Sequence, residues 1–166
     1  MVQSLYLIFH WNYLPYLVSK KKGFSGRCRN LKRRLRSLGK GQVIMLAFSS
    51  GGRAASLVVD EFPDQRVICI GYPFKKPTVP DEPERYLHLS NLKTPMLIIQ
   101  GDKDEYGGPE IADRYSLSPS IELFYVDADH RYRMEQGEWD KVTGKIDSVL
   151  ANPGYRRNPE TALSPV

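Results

Sequence analysis

The stretch whose reading decides the fold is Val43 to Ala55, V-I-M-L-A-F-S-S-G-G-R-A-A. Four apolar residues, Val43 to Leu46, lead through small residues into Arg53-Ala54-Ala55, which opens a helix-like pattern. A strand that turns into a helix at a serine has the form of a nucleophile elbow, written G-x-S-x-G. Here the pattern reads Ala47-Phe48-Ser49-Ser50-Gly51. The elbow strains the serine backbone, so the positions two before and two after it must be small. Ala47 and Gly51 meet that need around Ser49. Centring the pattern on Ser50 would put Phe48 in a slot too narrow for it. Ser49 is therefore the candidate nucleophile, set against the plainer reading of a tight turn with no chemistry.

Outward from the elbow, strand and helix patterns alternate. Upstream, Leu5 to Phe9 reads as a strand and Asn12 to Ser25 as a loop. Leu31, Leu35 and Leu38 then fall on one helix face over Asn30 to Leu38, with Gly39 as the stop. The elbow strand is Val43 to Phe48 and its helix Arg53 to Phe62. Downstream, Arg66 to Gly71 is a strand with the unbroken core V-I-C-I, which suggests apolar cover on both faces. Tyr72 to Pro95 is a long proline-rich segment, with a turn of helix over Tyr86 to Leu92. Met96 to Gln100 is a strand, Pro109 to Leu117 a helix and Ile121 to Val126 a strand. Trp139, Val142, Ile146, Val149 and Leu150 mark one face of a last helix. The order predicts an α/β domain over residues 1–150, built on a mainly parallel sheet of about five strands. Residues 151–166 read as a loose tail.

In such a sheet, ligands bind beyond the carboxyl ends of the strands. Three chemically capable segments lie there. Ser49 follows the elbow strand. Gln100-Gly101-Asp102-Lys103-Asp104 follows the next-to-last strand, and Asp127-Ala128-Asp129-His130 the last. The chain order is serine, carboxylate, histidine. A hydroxyl, an imidazole and a carboxylate in hydrogen-bond sequence make a nucleophile at neutral pH.

Length and charge bound the remaining classes. The chain has 166 residues, enough for one domain. Its net charge of +5 is unevenly spread. Residues 1–59 hold 11 Lys or Arg and no acid, leaving 13 basic and 19 acidic residues after Val59. Most of the early charge lies between Lys20 and Lys40. A solvated helix face is the reading of that block, with a nucleic-acid or other polyanion surface as the alternative. The apolar first 18 residues carry their charge after the run rather than before it, unlike a signal peptide. His10, Trp11, Asn12 and Pro15 also break the run, so a membrane span is not expected. Cys28 and Cys69 have no ligand spacing, so no metal is expected and a reducing, cytoplasmic compartment is the default.

The segments S-S-G-G-R-A-A at 49–55, V-I-C-I-G-Y-P-F at 67–74, L-K-T-P-M-L-I-I-Q-G-D-K-D at 92–104 and A-D-H at 128–130 carry a family resemblance. The chain resembles the small α/β-hydrolases related to dienelactone hydrolase, and within them the testis-expressed protein 30 and NSL complex subunit 3 type of domain. The resemblance implies a serine hydrolase acting on an ester, thioester or related acyl substrate, without a cofactor. It implies Ser49 as nucleophile, His130 as base, Asp104 as the orienting acid and the Ser50 backbone N–H as an oxyanion donor. Asp102 is then a loop carboxylate, and His10 and His88 match no motif of the family.

The chain departs from the family at its start. Residues 1–48 contain no His-Gly pair, which in the family supplies the second oxyanion donor. Leu5 to Tyr13, L-Y-L-I-F-H-W-N-Y, resembles the family's fourth strand, so the chain is expected to begin inside the fold. This departure motivates an alternative function, a non-catalytic interaction domain with a basic surface. An exposed sheet edge would also invite a homodimer.

Overall fold

The computed structural model describes residues 23–39, 42–62 and 64–151. The expected first strand, His10 and the tail after Ala151 lie outside the described residues. Contacts group the chain into two units, Met1–Gly41 and Gln42–Val166.

Helix α1, Gly23–Ser37, belongs to the first unit. It begins seven residues before the expected Asn30 and absorbs part of the expected loop. The apolar stripe explains this: Phe24, Cys28, Leu31 and Leu35 recur at helical spacing, so the pattern reaches back past the glycines. Gly39, at φ 72°, ends it as a left-handed stop.

Among the described residues, the second unit holds a parallel four-stranded sheet in the order β1-β2-β3-β4. Its strands are β1 Ile44–Phe48, β2 Arg66–Ile70, β3 Met96–Gly101 and β4 Ile121–Val126. The expected strands match these to within a residue. Register aligns Phe48 with Ile70, Ile70 with Ile99 and Gly101 with Val126, so the carboxyl ends share one rim.

Both faces of the two central strands are covered. On one side Ile68, Leu97 and Ile99 pack with Val126, Ala128, Tyr132, Val142 and Val149. Val142 and Val149 come from the last helix, here α4, Gln136–Ala151. Leu150 leaves the expected face and is 49% exposed. On the other side Val67, Cys69, Met96 and Ile98 are buried as well, with Gly52 lying against Cys69. This two-sided burial is why β2 and β3 read as continuous apolar runs. β1 lies at an edge of the sheet among the described residues and leaves Ile44, Leu46 and Phe48 exposed.

Two expected helices are shorter. The elbow helix α2 spans Ser50–Ser56, followed by a 3-10 turn at Val59–Glu61. It starts early because Gly52 must lie directly on β2: a Cβ there would come 2.0 Å from the Cys69 sulfur. The turn then lets Asp60 accept hydrogen bonds from the Lys93 and Thr94 amides. Helix α3 is one turn, Ile111–Arg114. It stops where Tyr115 goes extended and stacks on Phe74, with ring centroids 5.3 Å apart. The long segment after β2 holds 3-10 turns at Pro83–Arg85 and Leu87–Asn91. Among the described residues, no helix is long and apolar enough to cross a membrane.

Candidate active site

The site forms at the carboxyl rim of the sheet. Ser49 joins β1 to α2 with φ 50° and ψ −121°, a conformation that L-residues rarely hold. Two backbone links fix it. Its N–H donates to the Ile70 carbonyl at 3.0 Å, and its carbonyl accepts from the Gly52 N–H at 2.9 Å. A Cβ on Gly51 would meet the Ala47 Cβ at 3.7 Å, so the two small slots of the elbow face each other. Methyl groups in both slots would just touch, and a side chain longer than that in either slot would press on the other.

The three candidate side chains meet. Ser49 Oγ lies 2.9 Å from His130 Nε2. His130 Nδ1 lies 2.8 Å and 3.0 Å from the two Asp104 carboxylate oxygens. An ionised carboxylate only accepts, so the imidazole proton sits on Nδ1 and donates to Asp104. Nε2 is then left to accept from the Ser49 hydroxyl. The Asp104 side chain is fully shielded, whereas that of His130 is 13% exposed.

Each partner is placed by its own segment. β3 ends at Gly101, and the turn after it carries Asp104, whose N–H donates to the Gly101 carbonyl. The segment after β4 carries His130 and crosses close over that turn: a Cβ on Gly101 would lie 2.2 Å from the Ala128 carbonyl oxygen. Gly71, at φ 64°, forms the floor, since a Cβ there would meet Tyr132 at 3.0 Å and both Asp104 and His130 at 3.5 Å. The Tyr106 ring lies 4.2 Å and the Phe48 ring 5.6 Å from the His130 ring, centroid to centroid. Burial, and then the nearby Asp104 charge, push both the Tyr132 phenol and the Cys69 thiol up. Both stay neutral, so neither offers a second base.

The other candidates stand apart. Asp102 is exposed, on the outer side of the turn. His88 sits in a separate cluster, with Nε2 at 2.8 Å from Ser56 Oγ and 3.5 Å from the Tyr72 hydroxyl. Ser50 opens α2, where helix geometry points backbone N–H groups outward. Among the described residues, no group of three or more His, Cys, Asp or Glu stands ready to hold a metal ion.

Sequence reasoning overlooked Gln100. It is completely buried and its amide N–H donates to Asp104 at 3.0 Å. A glutamine closing an apolar strand (L-I-I-Q) was the signal: an amide so deep needs partners.

The alpha/beta hydrolase domain profile matches residues 16–152. No curated protein matches the chain significantly. Several solved structures share the fold. An alpha/beta-superfamily protein from Xanthomonas campestris pv. campestris superposes with a TM-score of 0.54 at 22% identity, over 75% of this chain and 69% of that one. The esterase domain of a Rhodothermus marinus protein does so at 0.54 and 19% identity, over 74% and 65%. The N-formylmaleamic acid deformylase of Pseudomonas putida does so at 0.56 and 15% identity, over 76% and 72%. The chain thus spans roughly two thirds of the length of these structures. With the parallel sheet, the serine turn and a profile match over most of its length, the chain belongs to the alpha/beta hydrolase domain family.

Proposed function

We propose that the protein is a serine hydrolase acting on an ester, thioester or related acyl substrate. The observation that carries this reading is the unbroken hydrogen-bond chain from Ser49 through His130 to Asp104. In this reading Ser49 Oγ attacks the acyl carbonyl as His130 Nε2 takes its proton. The imidazolium that forms is steadied by the Asp104 carboxylate. As the tetrahedral intermediate collapses, Nε2 returns the proton to the leaving group and the acyl group stays on Ser49. Water, deprotonated by the same imidazole, then releases the acid and restores the serine. The Ser50 N–H, at the start of α2, is the oxyanion donor.

Within the family we place the protein beside the dienelactone-hydrolase-like branch, on the 49–55, 67–74 and 92–104 segments. The printed name of the Rhodothermus marinus neighbour, an esterase domain, agrees with an ester substrate. The buried free thiol of Cys69 agrees with a reducing, cytoplasmic setting. A series of p-nitrophenyl esters of increasing acyl length tests the activity. Turnover by the wild type and none by Ser49→Ala supports it; equal rates in the two refute it.

A second reading rests on α1, which exposes Arg29, Arg33, Arg34 and Arg36 and has no acid in its 15 residues. That surface suits a polyanion. Retention on heparin that falls steeply with salt supports it, and salt-insensitive elution removes it.

A further inference from the structure

The geometry points to Gln100 as a positioning residue that locks the carboxylate of the site, a role that rests on the hydrolase reading above. Gln100 ends the apolar run of β3 and is 0% exposed. A primary amide at that depth must use its donors and its acceptor internally. Gln100 does so with two segments, the turn after β3 and the start of the segment after β2. Its Nε2 donates to Asp104 Oδ2 at 3.0 Å and to the Gly107 carbonyl at 2.7 Å. Its Oε1 accepts from the Tyr72 N–H at 2.9 Å.

The amide has one workable orientation. Turned over, it would set Oε1 against a carboxylate and a carbonyl, and its N–H groups against the Tyr72 N–H. Asp104 is held in the same way. Its Oδ1 accepts from the Tyr106 N–H at 2.8 Å, its Oδ2 from Gln100, and both face His130 Nδ1. A fully shielded carboxylate stays in place only while such donors satisfy it. Gln100 supplies the donor on Oδ2, and through Tyr72 ties the segment after β2 to the turn that carries Asp104. Glutamate at this position would have the same shape and the wrong chemistry, an oxygen facing an oxygen.

Two variants and the wild type test this. Gln100→Glu keeps the shape but trades two N–H donors for at most one O–H, which cannot serve both Asp104 and the Gly107 carbonyl; Gln100→Met keeps roughly the volume and removes all polar atoms. The first readout needs no turnover: the low-field NMR signal of the His130 Nδ1 proton, which reports its bond to Asp104. A sharp signal in the wild type that broadens or moves upfield in both folded variants is the expected result. The second readout is kinetic. Both variants should lose about ten- to a hundredfold in kcat on a p-nitrophenyl ester, with KM unchanged. Folded variants with the wild-type proton signal and wild-type kcat overturn the assignment. If neither variant folds, the wild type decides by hydrogen exchange. Slow exchange of the Gln100 side-chain amide and the Tyr72 N–H supports the clamp, and rapid exchange of both overturns it. A wild type that turns over no ester defeats the hydrolase reading alone, because the proton signal still judges the clamp.

Discussion

Ser49 holds a backbone conformation that costs about 1–3 kcal/mol in an L-residue, and its links to Ile70 and Gly52 keep it there. Glycine adopts that conformation without the penalty. Ser49→Gly should therefore be more stable than Ser49→Ala, by about 1 kcal/mol, while both lack the nucleophile. Urea unfolding of the two variants measures the difference, and equal midpoints would show that the turn is unstrained. At Asp104 the case is electrostatic. Both its oxygens accept from fixed donors, Tyr106 N–H on one side and Gln100 on the other. Asparagine must turn its NH2 toward one of these donors, and it no longer selects the Nδ1–H tautomer of His130. Asp104→Asn should lower kcat by roughly ten-thousandfold, the scale of a wrong-tautomer defect. A loss under tenfold in steady-state ester hydrolysis would remove Asp104 from the role proposed for it.

At the scale of elements, the strands were readable and the helix ends were not. Strand limits follow from short, mostly apolar runs bounded by breakers: Pro95 and Gly101 bound β3 and Gly71 follows β2, whereas β4 starts after Pro119-Ser120 and ends on Asp127. Helix limits depend on what packs nearby. α2 begins at Ser50 because Gly52 lets it sit on β2, although glycine disfavours helix. α3 stops after four residues because Tyr115 joins the aromatic stack with Phe74 and Tyr86. No local pattern announces such contacts. Close packing also makes a prediction. Gly52→Ala places a methyl group inside the Cys69 side chain, and Gly101→Ala places one against the Ala128 carbonyl. Each should cost roughly 1–3 kcal/mol of stability, read by chemical denaturation. Gly101→Ala should cost ester hydrolysis in addition, because it displaces the segment that carries His130. An unchanged midpoint for either variant would show that the interface has room to spare.

For the molecule as a whole, the topology explains how residues 49, 104 and 130 come together. Parallel strands in register put the ends of β1, β3 and β4 on one rim, so side chains far apart in sequence become neighbours. The chain order of serine, carboxylate and histidine was therefore legible, because it needs only the order of the strands. The role of Gln100 was not, because the L-I-I-Q run signals a buried amide without showing that Tyr72 and the turn at Asp104 are its partners. The same folding half-buries His88 beside Ser56 and Tyr72. Burial first, and the Arg53 charge second, hold its imidazole down to about 4 from an ordinary 6.5, with Asp60 opposing. The unfolded chain thus takes up this proton near 6.5, whereas the folded protein resists until about 4. Stability that is present above 6.5 should be lost progressively as pH falls toward 4. The urea midpoint, followed over that range, should slope less steeply in His88→Gln than in the wild type. Parallel slopes would place the acid sensitivity elsewhere.

The central claim is that Ser49 is an activated nucleophile, and a fluorophosphonate probe tests it most directly. The probe reacts with a serine hydroxyl only where a neighbouring base withdraws the proton. Incubation with folded protein, followed by peptide mass spectrometry, should show a single adduct on Ser49 in the wild type and none in Ser49→Ala or His130→Ala. Folded wild-type protein that stays unlabelled, or that carries the adduct on another residue, would contradict the account.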